Sequence, residues 1–454
     1  MKILLISTNN EKYPYPVAPI GAAYIAKALR NNGYHVKIID LSFVEDDCAV
    51  IRDVLKDFVP HVIGISIRNI DNLTYGKSIF YMPRIRHLVN FIKRHTSVPL
   101  VVGGSGFSIF PEEVLRYLEL ETGIVGEGET AFALVVGAIE KGKDLDNIQN
   151  LCYLKGNKFY SNSIAYTQIN NRPDRSLLSN RMYFELGGMA NIQSKRGCPF
   201  QCTYCTYPCI EGNKMRLREP MDVVEELKEM RIDYGIDYVF FVDDIFNFPE
   251  EHAVAICEEI VRTKVKVNWT CFATPKGMTQ KLAALMKTAG CKGVEFGSDA
   301  GSEKTLKGLS KHFTHDDIAY AAECCGEIGL PNAHYIIIGG PGEDHGTLQE
   351  TFAFFEKINP TAVIALLGLR IYPNTRLHSK SIEDGVIEKD RNLLEPAFYL
   401  SPEMDTTVIF RNIAEHARKH QNWIVPGLDI RCDTNMLAVL RKMGRKGPLW
   451  DMLS

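Results

Sequence analysis

Two series of short apolar runs, separated by stretches of helical period, constrain this chain most. The first series occupies residues 1 to about 145. KILLIS, HVKIIDL, HVIGISI, VPLVVGG and TGIVGEGE read as strands. Between and after them lie IGAAYIAKALRNNGY, closed by Gly33, then AVIRDVLKDF, YMPRIRHLVNFIKRH, PEEVLRYLE and ETAFALVVGAIEKG. Continuous apolar strand runs separated by helices predict a parallel sheet covered on both faces. Ligands of such sheets lie beyond the carboxyl ends of the strands, at the switch point. The loops at those ends read NNEKYPYPVAP, RNIDN, GGSGFS and GEGET. Gly103, Gly104, Gly106, Gly126 and Gly128 there allow backbone to approach a ligand, and ordinary turns use glycine in the same way.

Residues 146–185 lack a helical period and read as a hairpin and linker. A second series follows. Its strands are MANIQSK, DYVFFVD, VNWTCFA, GVEFGS, AHYIIIG and VIALLGLRIY, with helices such as DVVEELKEMRID and GTLQETFAFFEKI between them. Six strand-helix units over 186–380 predict a partial parallel barrel whose site opens at the strand carboxyl ends. Residues 381–454 read as a small, mostly helical segment, mildly basic at RKMGRKGPLW. A length of 454 residues fits more than one domain.

Bulk charge excludes some functions. The net charge of -3 provides no global field for nucleic acid or anionic lipid. No apolar run approaches the roughly 18 residues of a membrane span. The five-residue apolar run of MKILLISTNN suits a buried strand better than a signal segment. The expectation is a cytoplasmic protein acting on a small molecule. Twelve cysteines then do not read as a disulfide framework. Cys324 and Cys325 fall in a helical pattern and read as core packing. Cys48, Cys152, Cys257 and Cys432 are isolated.

The cysteines of RGCPFQCTYCTYP, residues 196–208, read differently. Cys198, Cys202 and Cys205 are spaced C-x3-C-x2-C directly after the first barrel strand, and Cys209 follows. Structural zinc prefers four ligands in paired C-x2-C units, and only one such pair is present here. An electron-transfer 4Fe–4S cluster takes four thiolates. Three thiolates leave a position open, as a catalytic site requires; with Cys209 as a fourth ligand the cluster would be closed.

This loop at the end of the first strand of a six-unit barrel resembles the radical S-adenosylmethionine (SAM) superfamily. The resemblance implies a 4Fe–4S cluster on Cys198, Cys202 and Cys205, with SAM on the open iron. It implies reductive cleavage of SAM to methionine and a 5′-deoxyadenosyl radical, with Cys209 as a neighbour. Tyr204 stands where the family has an adenine-side aromatic. In FFVDDIF, Asp243 and Asp244 stand where the family binds the SAM amino group, which suits a carboxylate; a helix cap is the other reading. In GVEFGSDAGSEKTLKGLSK, Glu295 and Ser298 become ribose candidates. YIIIGGPGED resembles the adenine-packing strand, with Ile336 replacing an expected glycine. Arg216 and Arg218 could face a carboxylate or lie at the surface.

The N-terminal series then resembles the cobalamin-binding subfamily, through PYPVAPIGAAYIAKALRNNGYHVKIID, VPLVVGGSGFSIFPEEVL and GIVGEGET. The implied fold is α/β: a Rossmann-like domain of cobalamin-binding type, a partial (β/α)6 barrel and a helical C-terminal segment. The chain lacks D-x-H-x-x-G, so no histidine is offered to cobalt. Ser66, Arg68 and Asn69 would face the corrin from below, with Gly103, Gly104 and Gly126 around its tail. Arg68 has no free lone pair and would occupy that face without ligating. A relic domain that only shapes the substrate pocket is the alternative. The layout resembles that of cobalamin-dependent C-methyltransferases; it is also similar to sugar dehydratases, and the alternative is a cobalamin-independent dehydratase, epimerase or cyclase on a sugar-like or other polar metabolite, for which Glu343, Asp344 and His334 would be the proton-handling candidates. The family also implies an electron donor such as ferredoxin or flavodoxin.

Overall fold

The computed structural model describes every residue except Asn170, Asp433 and Ser454. The chain divides into two compact units. One comprises Met1–Asn72, Ile79–Asn180 and Thr206–Gly212; the other comprises Leu73–Ser78, Arg181–Cys205 and Asn213–Ser454.

The first unit is a seven-stranded sheet. Its strands are β1 (Lys2–Ser7), β2 (His35–Asp40), β3 (Val62–Ser66), β4 (Leu100–Gly103), β5 (Thr122–Ile124), β6 (Leu151–Lys155) and β7 (Lys158–Ser161). They lie in the order β2-β1-β3-β4-β5-β6-β7. The first five are parallel, and the hairpin β6–β7 adds antiparallel at the β5 edge. The chain reverses direction across the sheet between β1 and β3, which is the switch point of a doubly wound fold. Ile3, Leu5, Val62, Val101 and Ile124 pack with helix Glu129–Glu140 through Phe132, Val135 and Val136. Gly64 is required by this packing: a Cβ there would stand 2.8 Å from Leu5 and 3.0 Å from Phe132. The hairpin expected within residues 146–185 thus joins this sheet as its edge.

The second unit is also seven-stranded: β8 (Ala190–Ile192), β9 (Tyr238–Phe241), β10 (Asn268–Ala273), β11 (Cys291–Asp299), β12 (Asn332–Ile338), β13 (Ala362–Leu367) and β14 (Trp423–Ile424). Spatial order follows chain order, and every neighbouring pair is parallel. Six of these strands were expected. The seventh, β14, is only two residues long, too short to carry a pattern. On the helix side, Ile336, Ile338, Val363 and Ala365 pack with Leu348, Phe352 and Phe355 of helix His345–Ile358. On the opposite face, Ala333, Ala362 and Ile364 pack with Trp450. Cys324 and Cys325 are buried in helix His315–Glu327.

Candidate functional site

The cysteine loop rests on buried charge. Asp243 follows β9 and is 1% exposed. Its Oδ1 accepts from the Ser194 amide at 2.6 Å and the Lys195 amide at 3.2 Å, and its other oxygen accepts from the Ser194 hydroxyl. Burial raises its carboxyl pKa against the pull of Lys195 and these bonds. Lys195, also 1% exposed, donates from Nζ to the Phe246 carbonyl at 2.6 Å and the Phe248 carbonyl at 3.0 Å. Burial pushes its amine down to about 8. Arg218 donates to the Gln193 carbonyl at 2.6 Å and pairs with Glu226 at 2.7 Å, both fully buried. Arg218 is thus a scaffold residue and not a surface arginine. Asp243 is likewise committed to the backbone leading into the loop and does not serve an amino group. The next residue, half-buried Asp244, lies close enough to Cys198 to raise the pKa of its thiol.

Beyond this base the loop is pinned to the segment after β11. The Thr203 amide donates to the Leu309 carbonyl at 3.0 Å, and its hydroxyl to the Gly308 carbonyl at 3.0 Å. The Cys205 amide donates to the Cys202 carbonyl at 3.2 Å, turning the two thiols within one short bend. Tyr204 is held by its hydroxyl, which donates to Asp299 at 2.6 Å. Asp299 also pairs with Lys311 at 2.8 Å, both almost fully buried. The Lys311 ammonium interacts with both Cys202 and Cys205, and it hydrogen-bonds the Cys202 sulfur. Burial, with Asp244 beside it, pushes the Cys198 thiol up to about 11, and burial raises that of Cys202. A buried cation next to them favours their thiolates, which are the ligand form. All three are free of disulfides. This donor set fits an iron–sulfur cluster with one open position.

Cys209 belongs to the first unit. It lies in the short helix Tyr207–Ile210, and the Tyr166 hydroxyl donates to its carbonyl at 3.0 Å. Cys198, Cys202 and Cys205 belong to the second unit.

Other expected residues are placed otherwise. The register shifts between Gly297 and Asp299 on β11. Ser298, fully buried on the face opposite to Glu295, hydrogen-bonds His334 Nδ1 at 2.7 Å, while Asp299 reaches the cysteine loop. Ser298 is thus corrected from a ribose ligand to a core partner. His334 is buried between sheet and helix, its Nε2 bonded to Asn332 at 3.1 Å, and burial pushes its pKa down to about 3. It is no proton donor at the mouth. Asp344 is the N-cap of helix His345–Ile358 and pairs with Lys304 at 2.6 Å, which lowers its pKa to about 2. It too is structural. Glu343 is fully buried and accepts from the amides of Gly339 and Gly340, which closes the GGPGE turn. Glu295 is buried on the inner face of β11, where Trp450 Nε1 donates to it at 2.9 Å and burial pushes its carboxyl up to about 7. The sequence reading missed Asp299, Lys311 and Trp450.

In the first unit the loops at the strand ends are tied together. The Ile67 amide donates to the Gly103 carbonyl at 2.8 Å, the Gly106 amide to the Ile67 carbonyl at 3.0 Å, and the Ser105 hydroxyl to the Arg68 carbonyl at 3.0 Å. The Gly126 amide donates to the Ser108 hydroxyl at 2.8 Å. Gly104 has φ +102, and a Cβ there would stand 2.5 Å from the Ile67 oxygen. Ser66 ends β3, and Arg68 and Asn69 follow it, with Arg68 exposed. These loops, packed closely on one another through their glycines, lie beyond the carboxyl ends of β3, β4 and β5, the side on which ligands of such sheets bind.

Comparison with known proteins agrees with both halves. Residues 6–136 match the B12 binding domain family, and residues 192–355 match the radical SAM superfamily. The chain thus carries a radical SAM domain preceded by a B12-binding domain. It is a radical SAM enzyme, with a 4Fe–4S cluster, SAM and cobalamin as its cofactors. An uncharacterized methyltransferase of Pyrococcus horikoshii is 27% identical over 408 residues, covering 85% of this chain and 84% of the relative. Tryptophan 2-C-methyltransferase of Streptomyces laurentii is 23% identical over 450 residues, covering 83% and 74%. The radical SAM methyltransferase TsrM of Kitasatospora setae, solved with cobalamin and a [4Fe-4S] cluster, superposes with a TM-score of 0.89 at 22% identity, over 100% of this chain and 97% of that one. That likeness shows that the fold is shared over the whole chain.

Proposed function

We propose that this radical SAM enzyme is a cobalamin-dependent C-methyltransferase acting on a small molecule. The observation that carries the reading is the pairing, in one chain, of an open three-thiolate site with glycine loops inside a B12-binding family domain. The names of the relatives, methyltransferases of tryptophan and of hopanoids among them, support methyl transfer. When bound, the cluster supplies an electron for SAM cleavage and cobalamin carries the methyl group.

Cys198, Cys202 and Cys205 hold the cluster, and Lys311 favours their thiolate form. Asp244 receives the SAM amino group, and Tyr204, fixed by Asp299, walls the adenine side. Ser66, Arg68 and Asn69 would lie against the corrin, with Arg68 offering no lone pair to cobalt, and Gly103, Gly104 and Gly126 would stand beside its tail. Glu295 faces the barrel interior, where it bounds the substrate space. His334 and Asp344, which a dehydratase would need at the mouth, are engaged elsewhere. Ferredoxin or flavodoxin in the cytoplasm supplies the electrons. Among the described residues, no helix is long and apolar enough to cross a membrane.

The test is anaerobic reconstitution with iron, sulfide and hydroxocobalamin, followed by incubation with methyl-labelled SAM and a cell extract. About one corrin per chain, S-adenosylhomocysteine and label on an acceptor carbon are expected. A desalted protein that retains no corrin and transfers no label would sink the proposal.

A further inference from the structure

We propose that Glu356, His416 and His420 form a binding site for a divalent first-row metal ion of the zinc type, at the end of the second sheet remote from the cysteines. Glu356 lies near the end of helix His345–Ile358. His416 lies in the last turn of helix Thr406–Lys419 and His420 is its C-cap, so the sequence HARKH spaces them i, i+4, on one side of a helix end. One ligand atom from each of the three lies within 4.8 Å of the other two.

The distances match the chemistry. Two atoms each about 2.1 Å from one ion, at a tetrahedral angle, lie about 3.4 Å apart. His416 Nδ1 is 3.6 Å from Glu356 Oε1, and His420 Nε2 is 3.2 Å from the same oxygen. The His416 ring is held in place. His416 stacks on Phe352 at 4.0 Å and on His420 at 4.2 Å, and Trp423 stands perpendicular to it at 4.4 Å. An imidazole lone pair lies in the ring plane, so His420, one-third exposed, turns out of this stack to share an ion, while Phe352 and Trp423 fix His416. His416 is 9% exposed. Its Nε2 is buried with no hydrogen-bond partner, which leaves Nδ1, facing Glu356, as the ring atom that meets a polar group. Glu356 and His420 are 46% and 33% exposed, giving the ion an entry path and water a fourth position.

The location assigns the role. β14 pairs with the first residues of β13, Val363 and Ile364, at the amino-terminal end of the sheet. Conserving geometry at that end of a parallel barrel serves stability, since chemistry occupies the carboxyl ends. The ion would clip helix Thr406–Lys419 and the short edge strand after it to helix His345–Ile358. The competing account is a plain Glu356–His420 ion pair.

The deciding experiment counts metals. Cluster-loaded, cobalamin-loaded enzyme is equilibrated with buffered zinc, desalted and analysed for zinc and iron per chain, beside Glu356→Gln and His420→Gln. Both substitutions are at partly exposed side chains, and unchanged iron content certifies the fold. The site predicts about one zinc in the parent protein, at least about tenfold weaker retention in each variant, and a thermal midpoint that zinc raises only in the parent. A parent protein that retains no zinc, or zinc that persists equally in both variants through the free thiols, overturns the proposal.

Discussion

At the residue scale, the pair Asp299–Lys311 decides how the cysteine loop is held. Replacing Lys311 with Met leaves the buried Asp299 carboxylate with the Tyr204 hydroxyl but no counter-ion, which costs about 3 kcal/mol. It also removes the cation next to Cys202 and Cys205. Denaturant unfolding should show that loss, and iron content after reconstitution should fall; adding Asp299→Asn should recover much of the stability but not the iron. Cys198→Ala should abolish iron retention and SAM cleavage, whereas Cys209→Ala should keep both. Loss of the cluster in Cys209→Ala would mean that a fourth protein thiolate closes it. The three-cysteine spacing was legible because ligand geometry is local. Asp299 shares the parity of Glu295, so alternation alone puts it on the inner face; its role was hidden because its bonds to Tyr204 and Lys311 form only in the fold. Asp243 and Asp244 are adjacent, and only the fold reveals that the first serves the backbone of Ser194 and Lys195.

At the scale of elements, capping and burial set the expectations. Asp344 accepts from the Thr347 amide at 2.9 Å and closes a capping box. Asp344→Ala should cost about 1 kcal/mol of stability and leave SAM turnover intact, measured by unfolding and by product assay. Glu295 gives a pH dependence. Its folded carboxyl titrates near 7, above the ordinary 4.5, so the native state holds a proton that the unfolded chain releases. The stability it contributes is fully present below about pH 4.5 and is lost as pH rises through about 7, on the order of 3 kcal/mol. Glu343 is held up to about 7 as well, so both groups push the same way. Between pH 5 and 8 the unfolding midpoint should fall, and Glu295→Gln should flatten part of that slope; an unchanged slope would refute the assignment. The strands were legible because sheets buried on both faces need continuous apolar runs. The two-residue β14 and the insertion of Trp450 beside Gly293 were not, since neither has a period and both depend on contacts distant in sequence.

At the scale of the whole molecule, the two cofactor sites are built on different sheets, by different devices. In the proposed assignment, thiolates and buried charge in the second unit would hold the cluster, and the glycine loops of the first would hold the corrin. Their losses should therefore be separable. Cys198→Ala should lose iron yet retain about one cobalamin per chain. Gly104→Ala should do the reverse. Its backbone lies at φ +102, and the added Cβ would press on the Ile67 oxygen, distorting the loops after β3 and β4 while the cysteine loop keeps every bond described above. Iron analysis and corrin absorbance on the same desalted samples read both occupancies at once. If Gly104→Ala lost iron as fully as cobalamin, or Cys198→Ala lost both, the cofactors would have to share one cooperative site, and the assignment of Gly103, Gly104 and Gly126 to the corrin alone would fall.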